Sequence, residues 1–311
     1  MPYSLDERLV IGVASSAIFD LSACEQVFLD KGEIGYREYQ KARVNDPLPL
    51  GAAFPFVKRI LGLNDLSDDP HGDPLIEIVL LSKNDPDTGI RVLKSIEHYG
   101  LAVNRAIFTQ GQSPYEYIPA LNISLFLSAN QKDVAGAIHL GLPAGQVLAS
   151  KSVIECNDDA LRIAFDFDGV IVDDEAEAVM HTTNDLDCFH EYEAKNVSRP
   201  LGPGPLRNFL MRIIRIQAIE EAKKLTVPEY RTRLRVSIVT ARGAPAHIRA
   251  LNTLSSWGVT VNDAFFLGGV DKGKILGILR PHIFFDDQMG HLKSTAPFAS
   301  SVHVPFGIKN V

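Results

Sequence analysis

The stretch Leu161-Arg-Ile-Ala-Phe-Asp166-Phe-Asp168-Gly169-Val-Ile-Val-Asp173 decides how this chain is read. An apolar run stops at two carboxylates spaced i and i+2, followed by a glycine and further apolar residues. Arg162–Phe165 reads as a short buried strand, and 166–169 as the turn at its carboxyl end. That edge is where open α/β sheets place ligands. Carboxylates at the end of a buried strand need partners. The pair suits one chemistry well: one carboxylate attacks an electrophile, its neighbour moves protons, and a hard cation screens both. Taken alone, the motif fits a turn with two surface aspartates equally well, so the rest of the chain decides.

Working outward, strand-like runs occur at Leu9–Val13, Ile76–Leu81, Arg105–Thr109, Ile123–Leu127, Arg235–Val239, Ala264–Leu267 and Ile283–Phe285. Helical patterns lie between them. Ile90, Leu93 and Ile96 form one stripe, closed by Gly100; Ile248, Leu251 and Leu254 form another, closed by Gly258. Alternation of this kind predicts an α/β fold with mostly parallel sheets covered by helices.

The chain also repeats itself. The segment from Ser95 to Phe108 lies over that from Thr253 to Phe266, pairing Gly100 with Gly258, Asn104 with Asn262 and Ala106 with Ala264. The same offset carries Ser82 onto Thr240, Gly111 onto Gly269 and Ser128 onto Asp286. With a slightly smaller offset, Tyr36 falls on Phe189 and Gly51 on Gly204, while Ile11–Ile18 matches Ile163–Val170. The expectation is two Rossmann-like units, residues 1–150 and 158–311, joined near 149–159. Each carries an insertion after its first strand, roughly 21–74 and 173–233. An insertion at that edge is either a cap that gates a site or a helical decoration.

Three further features fall where they can converge on Asp166. Ile238-Val-Thr240-Ala-Arg242-Gly243 ends a strand in a hydroxyl and an arginine, both able to contact a phosphate oxygen. Gly268-Gly-Val-Asp-Lys272-Gly-Lys274 is a glycine-rich loop whose lysine can neutralise a transferring phosphoryl group, with Lys274 the rival to Lys272. Pro281-His-Ile-Phe-Phe-Asp286-Asp287 is a second apolar strand ending in paired acids. Oxygen-only ligands there favour Mg²⁺.

The order Asp-x-Asp, Thr, Lys, Asp-Asp resembles the haloacid-dehalogenase superfamily. Ala52-Ala-Phe-Pro-Phe-Val-Lys58, Val239-Thr-Ala-Arg242 and His282-Ile-Phe-Phe-Asp-Asp-Gln288 resemble, more narrowly, the type I cytosolic 5′-nucleotidase family over nearly the whole chain. The resemblance implies Mg²⁺-dependent hydrolysis of nucleoside 5′-monophosphates such as AMP. Asp166 would be the nucleophile and Asp168 the acid/base. Thr240 and Lys272 would stabilise the phosphoryl group, and Thr240, Arg242 and Lys272 would bind substrate. The cation would sit among Asp166, Asp168, Asp286 and Asp287. Animal members carry a glycine between the two aspartates where this chain has Phe167, which leaves the preferred nucleobase open.

In the first copy the corresponding positions are Ala14, Ser16, Ser82, Pro114, Ser128 and Ala129. That copy is expected not to catalyse; packing, substrate contacts or holding an effector nucleotide remain its alternatives. Competing readings of the whole chain are a phosphatase of sugar phosphates and a non-catalytic nucleotide-binding protein.

Composition narrows the field. The 311 residues are 46% hydrophobic and 22% charged, with a formal net charge of −7 and no basic block, which argues against a nucleic-acid polymer as partner. Cys24, Cys156 and Cys188 have no metal-ligand spacing and suit a reducing compartment. Leu9–Phe19 is apolar, but Asp6 and Glu7 precede it, unlike a secretory signal. No run reaches membrane-spanning length, so a cytoplasmic protein is expected, with self-association left open.

Overall fold

The computed structural model describes residues 3–149 and 158–310. The chain divides into two compact units, Met1–Ala149 and Ser150–Val311. The expected junction and Cys156 lie largely outside the described residues.

In the first unit the strands are β1 (Leu9–Val13), β2 (Ile76–Ser82), β3 (Arg105–Phe108), β4 (Ile123–Ser128) and β5 (Ala144–Val147). They run parallel in the order β3-β2-β1-β4-β5. In the second unit they are β6 (Leu161–Phe165), β7 (Leu234–Thr240), β8 (Asp263–Phe266), β9 (Ile283–Asp286) and β10 (Ser300–His303). Their order, again parallel, is β8-β7-β6-β9-β10. Strands β1, β2, β4 and β9 are mostly apolar runs buried along their whole length, as strands covered on both faces require.

Eight of these strands were expected within a residue or two. Ala144-Gly-Gln-Val and Ser300-Ser-Val-His were not, because each is short and has too little apolar character to stand out. The helical stripes need correction. Helix Pro86–His98 buries Thr88, Gly89, Val92, Ser95 and Ile96, leaving Ile90 and Leu93 exposed; helix His247–Ser256 buries Ala250, Thr253 and Leu254, leaving Ile248 and Leu251 exposed. In the first, Gly89 permits the close approach: a Cβ there would lie 2.3 Å from the Phe108 ring. Gly100 and Gly258 do end their helices with positive φ, +65° and +68°.

The same bonds recur in both units. The Ala14 amide donates to the Leu127 carbonyl (2.8 Å), and the Asp166 amide to the Phe285 carbonyl (2.7 Å). Gly51 N–H reaches the Ile18 carbonyl at 2.7 Å, and Gly204 N–H the Ile171 carbonyl at 2.9 Å. Leu48 N–H donates to Ser95 Oγ (3.0 Å), and Leu201 N–H to Thr253 Oγ1 (3.1 Å).

Between β6 and β7 the chain forms helices Glu175–Thr183, Leu186–Lys195 and Arg207–Thr226. The second and third occupy the insertion expected at 173–233, and the first opens it. Among the described residues no helix is long and apolar enough to cross a membrane.

Candidate active site

Asp166 and Asp168 leave the carboxyl end of β6, Thr240 ends β7, and Asp286 and Asp287 end β9. Because β6 lies between β7 and β9, these termini meet at one edge. Lys272 opens helix Lys272–Leu279 and reaches across: its Nζ lies 2.7 Å from both Asp166 Oδ2 and Asp286 Oδ2. Of the two lysines it is Lys272 that lies against these acids, while Lys274 is exposed.

Asp166, Asp168, Thr240, Lys272, Asp286 and Asp287 are all buried. Burial pushes the Asp166 carboxyl up to about 7, against the pull of Lys272 and with the help of neighbouring Asp286. Asp286 is held below the ordinary carboxylate range because Lys272 and His291 outweigh the effect of its burial. For Lys272, burial opposes the charge, but Asp166 and Asp286 more than offset it and raise its pKa.

Asp287 is the outlier. Neither of its carboxylate oxygens has a hydrogen-bond partner, and burial together with Asp166 and Glu177 pushes it up to about 9. Gly169, with φ +69°, makes this packing feasible: a Cβ there would lie 2.8 Å from Asp287 Cγ. A buried carboxylate with no partner is costly. The oxygen-rich donor set of Asp166, Asp286 and Asp287 therefore fits a hard divalent cation. His291 Nδ1 is 3.2 Å from both Asp286 oxygens, and Asp166, Asp286 and His291 form a cluster that could hold a metal ion.

Asp168, expected as the acid/base, and Arg242, expected to bind substrate, are bonded to one another. Arg242 grips Asp168 with two bonds, Nε to Oδ2 at 2.7 Å and Nη2 to Oδ1 at 2.6 Å. Its third nitrogen, Nη1, donates to Glu193 Oε2 at 2.5 Å. Burial works against the Arg242 charge, but Asp168 and Glu193 outweigh it and raise its pKa. Three of the five guanidinium N–H groups are thus engaged by carboxylates. Thr240 is buried and its Oγ1 accepts from the Arg242 amide at 3.1 Å.

Several participants escaped sequence reasoning. Glu193, on helix Leu186–Lys195, is fully buried between Arg242 and Arg249, whose Nη1 donates to Oε1 at 2.8 Å. Arg249 also bonds Glu175 Oε1 at 3.1 Å. Glu177 accepts from Gln288 Nε2 at 2.9 Å, while its other oxygen is buried without a partner; burial and the charges of Asp168 and Asp166 push it up to about 7. No local pattern marks Glu175, Glu177 or Glu193. His291 lies five residues beyond Asp286 with no motif to mark it.

Beside Asp168 opens a cavity of about 520 Å³. Met180, Leu186, Phe189 and His190 form one wall, and residues Ala241–Ala244 with Gly268 and Gly269 form the other. Its size and mostly apolar lining suit a small organic ligand whose charged end points at the acids.

A family model described as 5′-nucleotidase matches residues 1–311. The chain is 35% identical to human cytosolic 5′-nucleotidase 1B over 309 residues, covering 97% of this chain and 49% of that protein. It thus spans about half the length of this relative. No solved structure matches it significantly. With motifs in order along the chain, a carboxylate-rich sheet edge and a match over the full length, this chain belongs to the 5′-nucleotidase family, a family of phosphoric monoester hydrolases.

Proposed function

We propose that the chain is a Mg²⁺-dependent hydrolase of nucleoside 5′-monophosphates that works through an aspartyl-phosphate on Asp166. The observation that carries this reading is the buried set Asp166, Lys272, Asp286 and Asp287, with both Asp287 oxygens unpartnered, beside an aromatic-walled cavity. The relative's printed name, cytosolic 5′-nucleotidase, supports the substrate class and a cytosolic setting.

A divalent cation held by Asp166 and Asp286, with Asp287 beside it, would neutralise phosphoryl charge and act as a Lewis acid. The protein's own groups do the rest. Asp166 Oδ1 accepts from the Phe167 amide at 2.7 Å and Oδ2 is held by Lys272, which aims the carboxylate. One Asp166 oxygen forms the new P–O bond while the bond from phosphorus to the 5′-oxygen breaks. Asp168 delivers a proton to the departing oxygen, then takes one from the water that attacks phosphorus and frees Asp166. Both Asp168 oxygens accept from Arg242, which orients the carboxylate while each oxygen keeps a lone pair for the proton. Lys272 and Thr240 stabilise the equatorial oxygens, since phosphoryl transfer rests mostly on positioning and electrostatics.

The insertion 173–233 serves as the cap: Phe189 and Met180 flank the nucleoside, and Glu193 ties the cap to Arg242. Residues 1–150 form a duplicated unit that has lost the catalytic carboxylates. Phosphate release from AMP, IMP, deoxynucleotides and sugar phosphates, with and without Mg²⁺, tests the reading. Turnover confined to sugar phosphates would overturn the substrate class, and no turnover of any ester would overturn the enzyme.

A further inference from the structure

We propose that the first unit holds a second site for a nucleoside monophosphate, bound without a cation and not hydrolysed. This rests on the phosphohydrolase reading of the second unit, because the argument is one of matched cavities.

Two adjoining cavities open at the carboxyl edge of the first sheet. One, of about 610 Å³, is lined by the hydroxyls of Ser15, Ser16 and Ser128 and by Lys83 and Lys132. The other, of about 660 Å³, is mostly apolar, with Leu21, Phe28, Leu29 and Tyr36 on its wall. Leu21, Glu25, Lys83 and Asn84 border both. A ligand with a compact polar head and a flat apolar body fits such a pair.

The apolar cavity occupies the place that the 520 Å³ cavity has in the second unit. Its rim residues Lys83, Asn84, Asp85, Gln110 and Gly111 correspond at one constant offset to Ala241, Arg242, Gly243, Gly268 and Gly269. The rim bonds match as well. Gln110 N–H donates to the Asn84 carbonyl at 3.2 Å, and Gly268 N–H to the Arg242 carbonyl at 3.1 Å. Gly111 N–H reaches Lys83 O at 2.8 Å, and Gly269 N–H reaches Ala241 O at 3.2 Å. Even the left-handed turn is kept, with φ of +47° and +86° against +55° and +87°. Tyr36 stands where the sequence repeat puts Phe189.

The polar cavity explains the ligand class and the missing chemistry. At its floor Ala14, Ser16, Ser128 and Ala129 stand where the repeat puts Asp166, Asp168, Asp286 and Asp287. With those four carboxylates present, a phosphate dianion needs a cation to offset them; with hydroxyls there, it meets donors instead. Lys83 is held at the wall by Asp133 at 2.5 Å, and the lining also holds one further acid and one further base, Glu25 and Lys132, so the cavity is balanced rather than acidic. No carboxylate stands where a nucleophile is needed, so the ester stays intact.

The test uses the full chain in EDTA, with AMP titrated by calorimetry. One AMP should bind per chain. Ser16→Asp, which puts a carboxylate into the polar cavity while still able to accept from the Ala129 amide (3.4 Å to Ser16 Oγ), should weaken that binding by about tenfold or more. Tyr36→Ala should weaken it independently, so a folding defect in one variant does not decide the matter. AMP hydrolysis by Mg²⁺-loaded Ser16→Asp should stay within about twofold of the unmodified chain, as the exchange lies outside the catalytic unit. Absence of AMP binding in EDTA, or binding unaffected by both variants, overturns the second site while leaving the hydrolase intact. Absence of hydrolysis with EDTA binding retained and lost in both variants sinks the hydrolase reading and keeps the site.

Discussion

In the first unit Arg91 donates to Gln40 Oε1 at 3.2 Å and to the Asp46 carbonyl at 2.9 Å; in the second, Arg249 donates to Glu193 Oε1 at 2.8 Å and to the Arg199 carbonyl at 2.9 Å. The two brackets hold the insertion to the helix that follows the second strand in the same way. The difference lies one bond further on. Glu193 has a second oxygen for Arg242, and Arg242 grips Asp168, so a chain of alternating charges runs from the insertion to the sheet edge. In the first unit Gln40 is neutral and the positions of Arg242 and Asp168 are Asn84 and Ser16. Buried charges survive only when each is partnered, so such a chain is kept or lost largely as a whole. Scaffold and chemistry are therefore separable here: one unit keeps the bracket, the other keeps the bracket and the charges.

The sharpest way to break this comparison is Asp166→Asn. If all turnover resides in the second unit, phosphate release should fall by roughly 10⁴-fold or more, and the first unit should supply no residual activity. Turnover near that of the unmodified chain would remove Asp166 from the mechanism.

Metal dependence comes next. Dialysis against EDTA should silence phosphate release and Mg²⁺ should restore it, while Asp286→Ala should raise the Mg²⁺ requirement by at least about tenfold. Full activity in EDTA would show that the unpartnered oxygens of Asp287 have some other purpose.

The bracket itself can be compared by urea unfolding. Arg249→Leu takes the donor from one oxygen of the buried Glu193, while Arg242 still holds the other, and should cost about 3 kcal/mol or more. Arg91→Leu leaves two neutral acceptors, Gln40 Oε1 and the Asp46 carbonyl, short of a donor and should cost about 1–3 kcal/mol. Equal losses would mean that the charge on Glu193 adds nothing to the bracket.

Gly51→Ala and Gly204→Ala should cost similar amounts, each about 1–3 kcal/mol. A Cβ would fall 2.8 Å from the Ala17 carbonyl oxygen in the first case and 2.4 Å from the Val172 carbonyl oxygen in the second. A large disparity between their melting temperatures would argue that the two turns are not equivalents.

The smallest effect concerns a pair whose charges are exchanged between units: Glu77 with Arg105 (2.6 Å), and Arg235 with Asp263 (2.7 Å). Arg235 is half exposed, so Asp263→Asn should cost only about 0.2–1 kcal/mol. The Arg235 hydrogen bonds, with that of Ser237, hold Asp263 below its ordinary value against burial. Its contribution should be present above the ordinary carboxylate value and fade as pH falls through the lower folded value. A pH-independent difference between the two proteins would contradict that.

The sequence by itself determined the α/β class, eight of the strands and the group Asp166, Thr240, Lys272 and Asp286, because buried runs that end in polar residues leave a local signature. It also offered an offset at which the two halves can be laid over one another. It did not disclose β5 and β10, whose residues are strand-forming only through neighbours that cover them. Nor did it show which face of helices Pro86–His98 and His247–Ser256 is buried; in the first, the close approach of Gly89 to Phe108 outweighed the apolar stripe. The engagement of Arg242 by Asp168 and Glu193, the unpartnered Asp287 and the approach of His291 to Asp286 were decided by the tertiary structure alone. These features depend on which charges meet across long stretches of chain inside a region with little water. There, the partner a group finds, rather than its residue type, sets its protonation and its role.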